Sequence, residues 1–161
     1  STPDTTSPTP VTVSTPTRAA ASGGDVIYTH SDGTRTKRTG GTRAWRNNNP
    51  GNIRDSKFAR RAGAIGAAGG FAVFPDTETG MAAIAALLRS DSYRNLTVGD
   101  AIGRYAPPHE NDTRAYQRYL ERLTGLRMDT PITDLSNADM ARVTAAIQTV
   151  EGWTPGREIR M

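Results

Sequence analysis

Four amphipathic helical patterns follow residue 75, and they constrain the fold of this chain more than any other feature. Each begins at a residue that can cap a helix: Asp76 or Thr77, Thr97, Asp112 or Thr113, and Ser136, which with Asp139 resembles a capping box. Apolar residues then recur at helical spacing, as at Tyr116, Tyr119, Leu120 and Leu123 in the third pattern. Gly125 and Gly152 end the third and fourth helices. The sequence therefore predicts a mainly α domain.

Little β structure is expected. Asp32-Gly33 between β-favouring residues predicts a hairpin with a type I′ turn, and residues 71–74 read as a short strand that ends at Pro75. Residues 58–70, rich in Ala and Gly without a clear period, are predicted to be a loop that can include a short helical turn. We expect a hairpin flap at residues 25–39, the α domain at residues 40–153 and a tail at residues 154–161.

The first 24 residues are almost all Thr, Ser, Pro, Ala and Gly, with Val11 and Val13 as the only large apolar side chains. Such a segment buries too little surface to offset the entropy lost on ordering, so residues 1–24 are predicted to be a disordered linker. The chain starts at Ser1 without a signal-peptide pattern, and we expect a fragment of a longer polypeptide.

Several classes of chemistry are excluded by composition. The chain has no cysteine and two histidines, His30 and His109, with no HExxH motif and no GxSxG motif with a credible histidine partner. We therefore expect no metal and no cofactor, and carboxylates are the remaining acid–base candidates. No apolar run approaches the roughly 20 residues that span a bilayer, so we expect a soluble monomer without membrane insertion.

Positive charge is concentrated before residue 62, where nine of the 20 Lys and Arg residues lie between residues 35 and 61, in a chain of net charge +4. This clustering indicates an anionic partner such as nucleic acid, an anionic membrane or the bacterial cell wall. A solvated basic face with no partner would give the same pattern.

The stretch from Trp45 to Arg54 combines four Asn side chains with an indole and two guanidinium groups. Turn formation accounts for one or two of its Asn, Pro and Gly residues, but not for all of them. We therefore predict a polar ligand rich in sugar or phosphate. The candidate binding residues are Trp45, Asn47, Asn48, Asn49 and Asn52.

An acid breaks the inward stripe of the fourth helix. Met140, Val143 and Ile147 are followed, one helical step later, by Glu151. Partial burial and the negative end of the helix dipole should both raise the pKa of this carboxyl. A glycosidase general acid needs such a pKa, although an exposed Glu at a fraying helix end would have the same spacing.

A second polar cluster runs from Tyr105 to Tyr116 and includes Glu110. Capping of the next helix by Asp112 or Thr113 explains only one of its residues. Glu110 is therefore a second candidate for contact with substrate or a catalytic water, and Tyr105 and Tyr116 are candidate stacking faces. By contrast, Glu78 in a first helical turn and Glu121 in a helix middle are expected to be surface residues.

On these residues the chain resembles lysozyme-like peptidoglycan hydrolases, in particular a group associated with phages and type VI secretion effectors that shares the Asn-rich stretch from Arg46 to Arg54. The resemblance covers residues 40–153. Residues 49–54, 71–88 and 105–116 are also similar to segments of flagellar-type bacterial glucosaminidases. In those enzymes the catalytic Glu precedes the Asn-rich element in the sequence, whereas here the similar pattern, around Glu151, follows it. The resemblance therefore implies a circularly permuted, lysozyme-like α domain with a small β-hairpin.

The resemblance implies a glycoside hydrolase that cleaves β-1,4 bonds of peptidoglycan, secreted or delivered to the periplasm of a target cell, as the C-terminal effector or virion domain of a larger protein. Glu151 would be the general acid, and Glu110 or the N-acetyl group of the substrate would assist. An immunity protein would be a further partner, and nucleic acid would not be one. Two alternatives stay open: a noncatalytic wall-binding or phage structural module, and a nucleic-acid-binding domain.

Overall fold

A computed structural model describes residues 14–109 and 111–161 and has a mixed α/β fold, with 40% of the chain helical and 21% in a six-stranded sheet. The prediction of a mainly α domain with only a small β-hairpin is therefore wrong. The predicted hairpin is not a peripheral flap, because its two strands lie inside the sheet. Long-range pairing of strands from both ends of the described chain creates this sheet, and no local pattern encodes such pairing.

The sheet has the strand order β5-β4-β1-β2-β3-β6. Its strands are β1 (Pro16–Ser22), β2 (Asp25–His30), β3 (Arg35–Thr39), β4 (Gly66–Ala68), β5 (Phe71–Val73) and β6 (Arg157–Arg160). Only β1 and β4 pair in parallel, and the other neighbours are antiparallel. A Cβ atom on Gly66 would collide with the backbone of Ala19, so this parallel pair needs glycine at that position.

The helices are α1 (Arg43–Arg46), α2 (Lys57–Arg61), α3 (Thr77–Leu88), α4 (Val98–Tyr105), α5 (Thr113–Thr124) and α6 (Asn137–Glu151). Asp76, Thr97, Asp112 and Ser136 cap the four long helices as predicted, and the capping box of Ser136 with Asp139 is present. Local capping and periodicity therefore located these helices correctly. None of the helices described here is long and apolar enough to cross a membrane.

Four local predictions need correction. Strand β1 lies in the predicted linker, and β6 lies in the predicted tail; residues 1–13 of that linker are outside the described part of the chain. Residues 58–70 contain the short helical turn allowed by the prediction, as most of α2, but they also contain strand β4, which was not predicted. The turn at Asp32-Gly33 is not type I′, since only Gly33 has a positive φ, of 86°.

The main apolar core lies between the long helices and strand β5. Its buried members include Phe74, Ile84, Leu88, Ile102, Leu120 and Ile147. Helix α5 buries fewer of its apolar residues than predicted: Tyr119 and Leu123 are 54% and 48% exposed. A smaller cluster of Val26, Tyr28, Ala68 and Val73 fixes the sheet. Helix α6 packs against α3 and α5, and its last turn reaches the Asn-rich stretch.

Candidate active site

Three of the four Asn residues in the Asn-rich stretch are buried and hold the backbone together. Asn49 is completely buried; its Nδ2 donates to the oxygens of Ile53 and Ala72 at 2.8 and 2.9 Å, and its Oδ1 accepts from the Ile53 amide at 2.9 Å. Asn47 donates to backbone oxygens of β4 and β5. These amides tie the loop to strand β5, so they are not available to a ligand.

Asn48 and Trp45 are also placed differently from the prediction. Asn48 Oδ1 accepts from Arg38 Nη1 at 2.9 Å, and the Arg38 guanidinium lies 4.5 Å from the centre of the Trp45 ring. Both side chains are buried, and neither lines the cleft that contains Glu151. The predicted roles of Trp45, Asn47, Asn48 and Asn49 in sugar binding are therefore corrected to structural roles. A sequence does not distinguish an Asn side chain that hydrogen-bonds to the backbone from one that hydrogen-bonds to a sugar.

Asn52 is the exception in this stretch. Asn48 and Asn52 are the only non-glycine residues in the described chain with positive φ, 48° in each case. Asn tolerates this left-handed region better than most residues, which explains its use at both positions. The resulting turn leaves Asn52 half-buried at the wall of a cleft, with its side chain directed towards α6.

The cleft has a volume of about 650 Å³ and lies where the Asn-rich stretch meets α4 and α6. It is lined by Arg43, Gly51, Asn52, Ile53, Arg54, Phe71, Leu87, Tyr93, Arg104, Tyr105, Pro107, Asn111 and Glu151. Glu151 is the only carboxylate among these described lining residues. No group of three or more His, Cys, Asp or Glu side chains that could hold a metal ion occurs in the described residues.

A chain of two hydrogen bonds connects a cation to this carboxylate. Asn52 Nδ2 donates to Glu151 Oε1 at 3.2 Å, and Asn52 Oδ1 accepts from Arg43 Nε at 3.3 Å. The bond from Arg43 fixes which end of the Asn52 amide faces Glu151. The structure thus brings together residues 52 and 151, as predicted, and adds Arg43.

The environment of Glu151 raises the pKa of its carboxyl above the ordinary value, and the largest cause is burial. The hydrogen bond from Asn52, the Tyr116 hydroxyl and the charge of Arg43 each lower that pKa and offset part of the rise. The predicted direction is therefore confirmed. Burial favours the protonated form, while these three groups stabilise the anion that remains after the proton leaves.

Two tyrosines pack behind the carboxyl. The Tyr105 hydroxyl donates to the Gly51 oxygen and lines the cleft, whereas Tyr116 belongs to the core and is 5% exposed. The Tyr116 hydroxyl is the only buried side-chain polar atom in the described residues that has no hydrogen-bond partner. It nevertheless influences Glu151, since burial first and the nearby carboxylate second raise the pKa of Tyr116. Tyr116 therefore faces the acid rather than the solvent and is not a stacking surface.

Other candidates are less informative. Glu110 lies outside the described residues, although its neighbour Asn111 lines the cleft. Glu78 and Glu121 are exposed, as expected for surface residues. Sequence reasoning missed Arg43, Arg104 and Phe71 as cleft residues. The clustering of positive charge before residue 62 included Arg43, but it did not distinguish Arg43 from the other eight Lys and Arg residues of that segment.

Comparison of the chain with known protein families and with curated proteins gives no match. The function must therefore be argued from the chemistry of the cleft.

Proposed function

We propose that this domain is a glycoside hydrolase that cleaves β-1,4 bonds in the glycan strands of bacterial peptidoglycan, with Glu151 as the general acid. The observation that carries this proposal is a partly buried carboxyl of raised pKa, the only carboxyl among the described residues that line the cleft of about 650 Å³. A cleft of this size suits small ligands, and a protonated carboxyl can donate to a glycosidic oxygen.

The hydrogen bonds around Glu151 fit this role. Because Asn52 donates to Oε1, that oxygen acts as an acceptor and Oε2 is left to carry the proton. When the proton passes to the leaving oxygen, the carboxylate that remains is stabilised by the Asn52 amide, the Tyr116 hydroxyl and the charge of Arg43. The site therefore favours the acid before the step and the anion after it.

The sugar ring develops positive charge as the bond breaks, and a second group must stabilise it. Two sources fit the proposal: a second carboxylate, for which Glu110 is the candidate, or the acetamido group of the substrate itself. The resemblance of residues 40–153 to phage-associated and secreted wall hydrolases supports peptidoglycan as the substrate. It also supports action outside the cytoplasm of the producing cell, as a domain of a larger effector or virion protein.

Nucleic-acid binding is less well supported. Several arginines of the basic segment serve the fold, because Arg38 bonds Trp45, Asn48 and Glu158, and Arg46 donates to the oxygens of Gly40 and Gly41. Cations used in this way do not form an open stripe for a phosphate backbone.

The direct test is Glu151→Gln, with Glu121→Gln on exposed α5 as the matched control. Loss of a general acid costs about 10²- to 10⁴-fold. We expect the Glu151 variant to release less than a hundredth of the wild-type fragments from purified sacculi, and the control to match wild type. A Glu151→Gln protein that is folded by circular dichroism and still lyses sacculi at the parental rate would refute the proposal. If the wild type binds sacculi without releasing fragments, the domain is a noncatalytic wall-binding module.

A further inference from the structure

Positive charge exceeds negative charge among the described residues that line the cleft. Arg43, Arg54 and Arg104 line it, and Glu151 is the only described residue of negative charge among the lining residues. The raised pKa of Glu151 also favours its neutral form. A cleft with this balance attracts an anionic ligand, whereas a glycan made only of N-acetylglucosamine carries no charge.

Arg43 is held in one position by two neighbours. Its guanidinium carbon lies 3.6 Å from the centre of the Phe71 ring, and its Nε donates to Asn52. Its two terminal nitrogens have no acceptor among the described residues, and the residue is exposed on the cleft wall. The cation is therefore fixed before a ligand arrives and presents the paired N–H groups that bind a carboxylate in two places.

We propose that Arg43 binds a carboxylate carried by the sugar next to the bond that is cut, so that the enzyme selects glycan strands whose muramic acid bears a free lactyl carboxylate. This proposal rests on the proposed function and adds a substrate class to it. One side chain, Asn52, separates Arg43 from Glu151, so the bound anion must lie close to the scissile bond.

The short distance between the bound anion and the scissile bond distinguishes between the carboxylates that peptidoglycan carries. The lactyl group is attached to the sugar ring itself, and its carboxylate is free only where the stem peptide has been removed. Carboxylates of the stem peptide lie further along a flexible chain. Peptide-free strands are accordingly the preferred substrate, and strands with the lactyl group in amide linkage are poorer ones.

A matched pair of substrates tests this inference. Peptide-free strands are used either native or after carbodiimide coupling to ammonia, which converts each lactyl carboxylate into a neutral amide. We expect wild type to cleave the native strands with about tenfold higher kcat/KM, the usual effect of one charge-assisted contact. Arg43→Gln should lose this preference and Arg43→Lys should keep part of it. Arg118→Gln, on exposed α5, should keep it fully.

Arg43 also orients Asn52, and the pair of substrates separates the two roles. If Arg43→Gln slows both substrates equally, Arg43 only positions Asn52 and the inference is overturned. Equal cleavage of both substrates by wild type overturns it as well. If neither strand is cleaved, the proposed function fails, and fluorescence anisotropy with labelled strands decides the inference by itself. Tighter binding of native strands that depends on Arg43 supports it, and equal binding refutes it.

Discussion

Tyr116→Phe should make the protein more stable and less active at the same time. The substitution removes one oxygen atom and leaves the ring in the core, where Tyr116 is 5% exposed. That oxygen is buried without a hydrogen-bond partner, and such a group costs about 1–3 kcal/mol. The small void left behind costs part of this gain. We therefore expect a net stabilisation of about 1 kcal/mol, or about 2–4 °C in Tm for a chain of this size.

The loss of activity follows from the position of the same hydroxyl. It faces Glu151 and lowers the pKa of that carboxyl, so it stabilises the anion that forms after proton donation. Without it, the pKa of Glu151 rises further. The alkaline limb of the pH–rate profile, which reports loss of the protonated acid, should move to higher pH. The maximal rate should fall by about tenfold. The hydroxyl has no hydrogen-bond partner before the step but can donate to the carboxylate that the step creates, and one hydrogen bond to a charged group contributes about that much.

Urea unfolding at pH 7, followed by circular dichroism, measures the stability, and fragment release from sacculi measures the activity. Tyr119→Phe on the exposed face of α5 is the control and should change neither. A Tyr116→Phe protein that is less stable than wild type would show that the hydroxyl is satisfied in the folded state. A protein that is more stable but fully active would show that the hydroxyl has no part in the chemistry.

Four further variants test other parts of the account. Asn49→Ala removes three hydrogen bonds to backbone groups and leaves the Ile53 amide without its acceptor, so it should cost about 3 kcal/mol or more in urea unfolding. Asn52→Gly, which accepts the φ of 48°, should spare stability and lower activity at least tenfold. Gly51→Ala should displace the Tyr105 hydroxyl and lower Tm, because a Cβ there would collide with it; the cost is about 1–3 kcal/mol. Below about pH 4.3, the ordinary pKa of a Glu carboxyl in the unfolded chain, Glu151→Gln should be as stable as wild type. As the pH rises from there through the raised pKa that Glu151 has in the folded protein, the variant should become increasingly more stable than wild type. The reason is that ionisation of the buried acid destabilises only the wild-type protein.

The long helices could be predicted because their determinants are local. Asp76, Thr97, Asp112 and Ser136 each cap the helix that follows. The sheet could not be predicted in the same way. Strand β6 is an Arg-rich segment whose partner in the sheet, β3, lies more than a hundred residues earlier, and β1 consists largely of Thr, Ala and Ser. Such strands form because a partner edge is available, and nothing in their composition specifies it.

Of the predicted site residues, Glu151, Asn52 and Tyr105 line the cleft, and the sequence predicted most about Glu151. Glu151 interrupts an apolar stripe, and that interruption placed it at the edge of the core with a raised pKa. The Asn-rich stretch was misinterpreted because polarity in a sequence does not distinguish a ligand contact from a bond to the backbone. Of its four Asn residues, only Asn52 lines the cleft, where its side chain donates to Glu151 on α6.

The central claim is that Glu151 donates a proton to a glycosidic oxygen of peptidoglycan. Mass spectrometry of the soluble products from purified sacculi tests this claim most directly, because it identifies the bond that was cut. We expect wild type to release disaccharide-containing muropeptides from cleavage of β-1,4 bonds and Glu151→Gln to release none above background. Products cut only in the peptide stems, or the same glycan fragments from both proteins, would contradict the account.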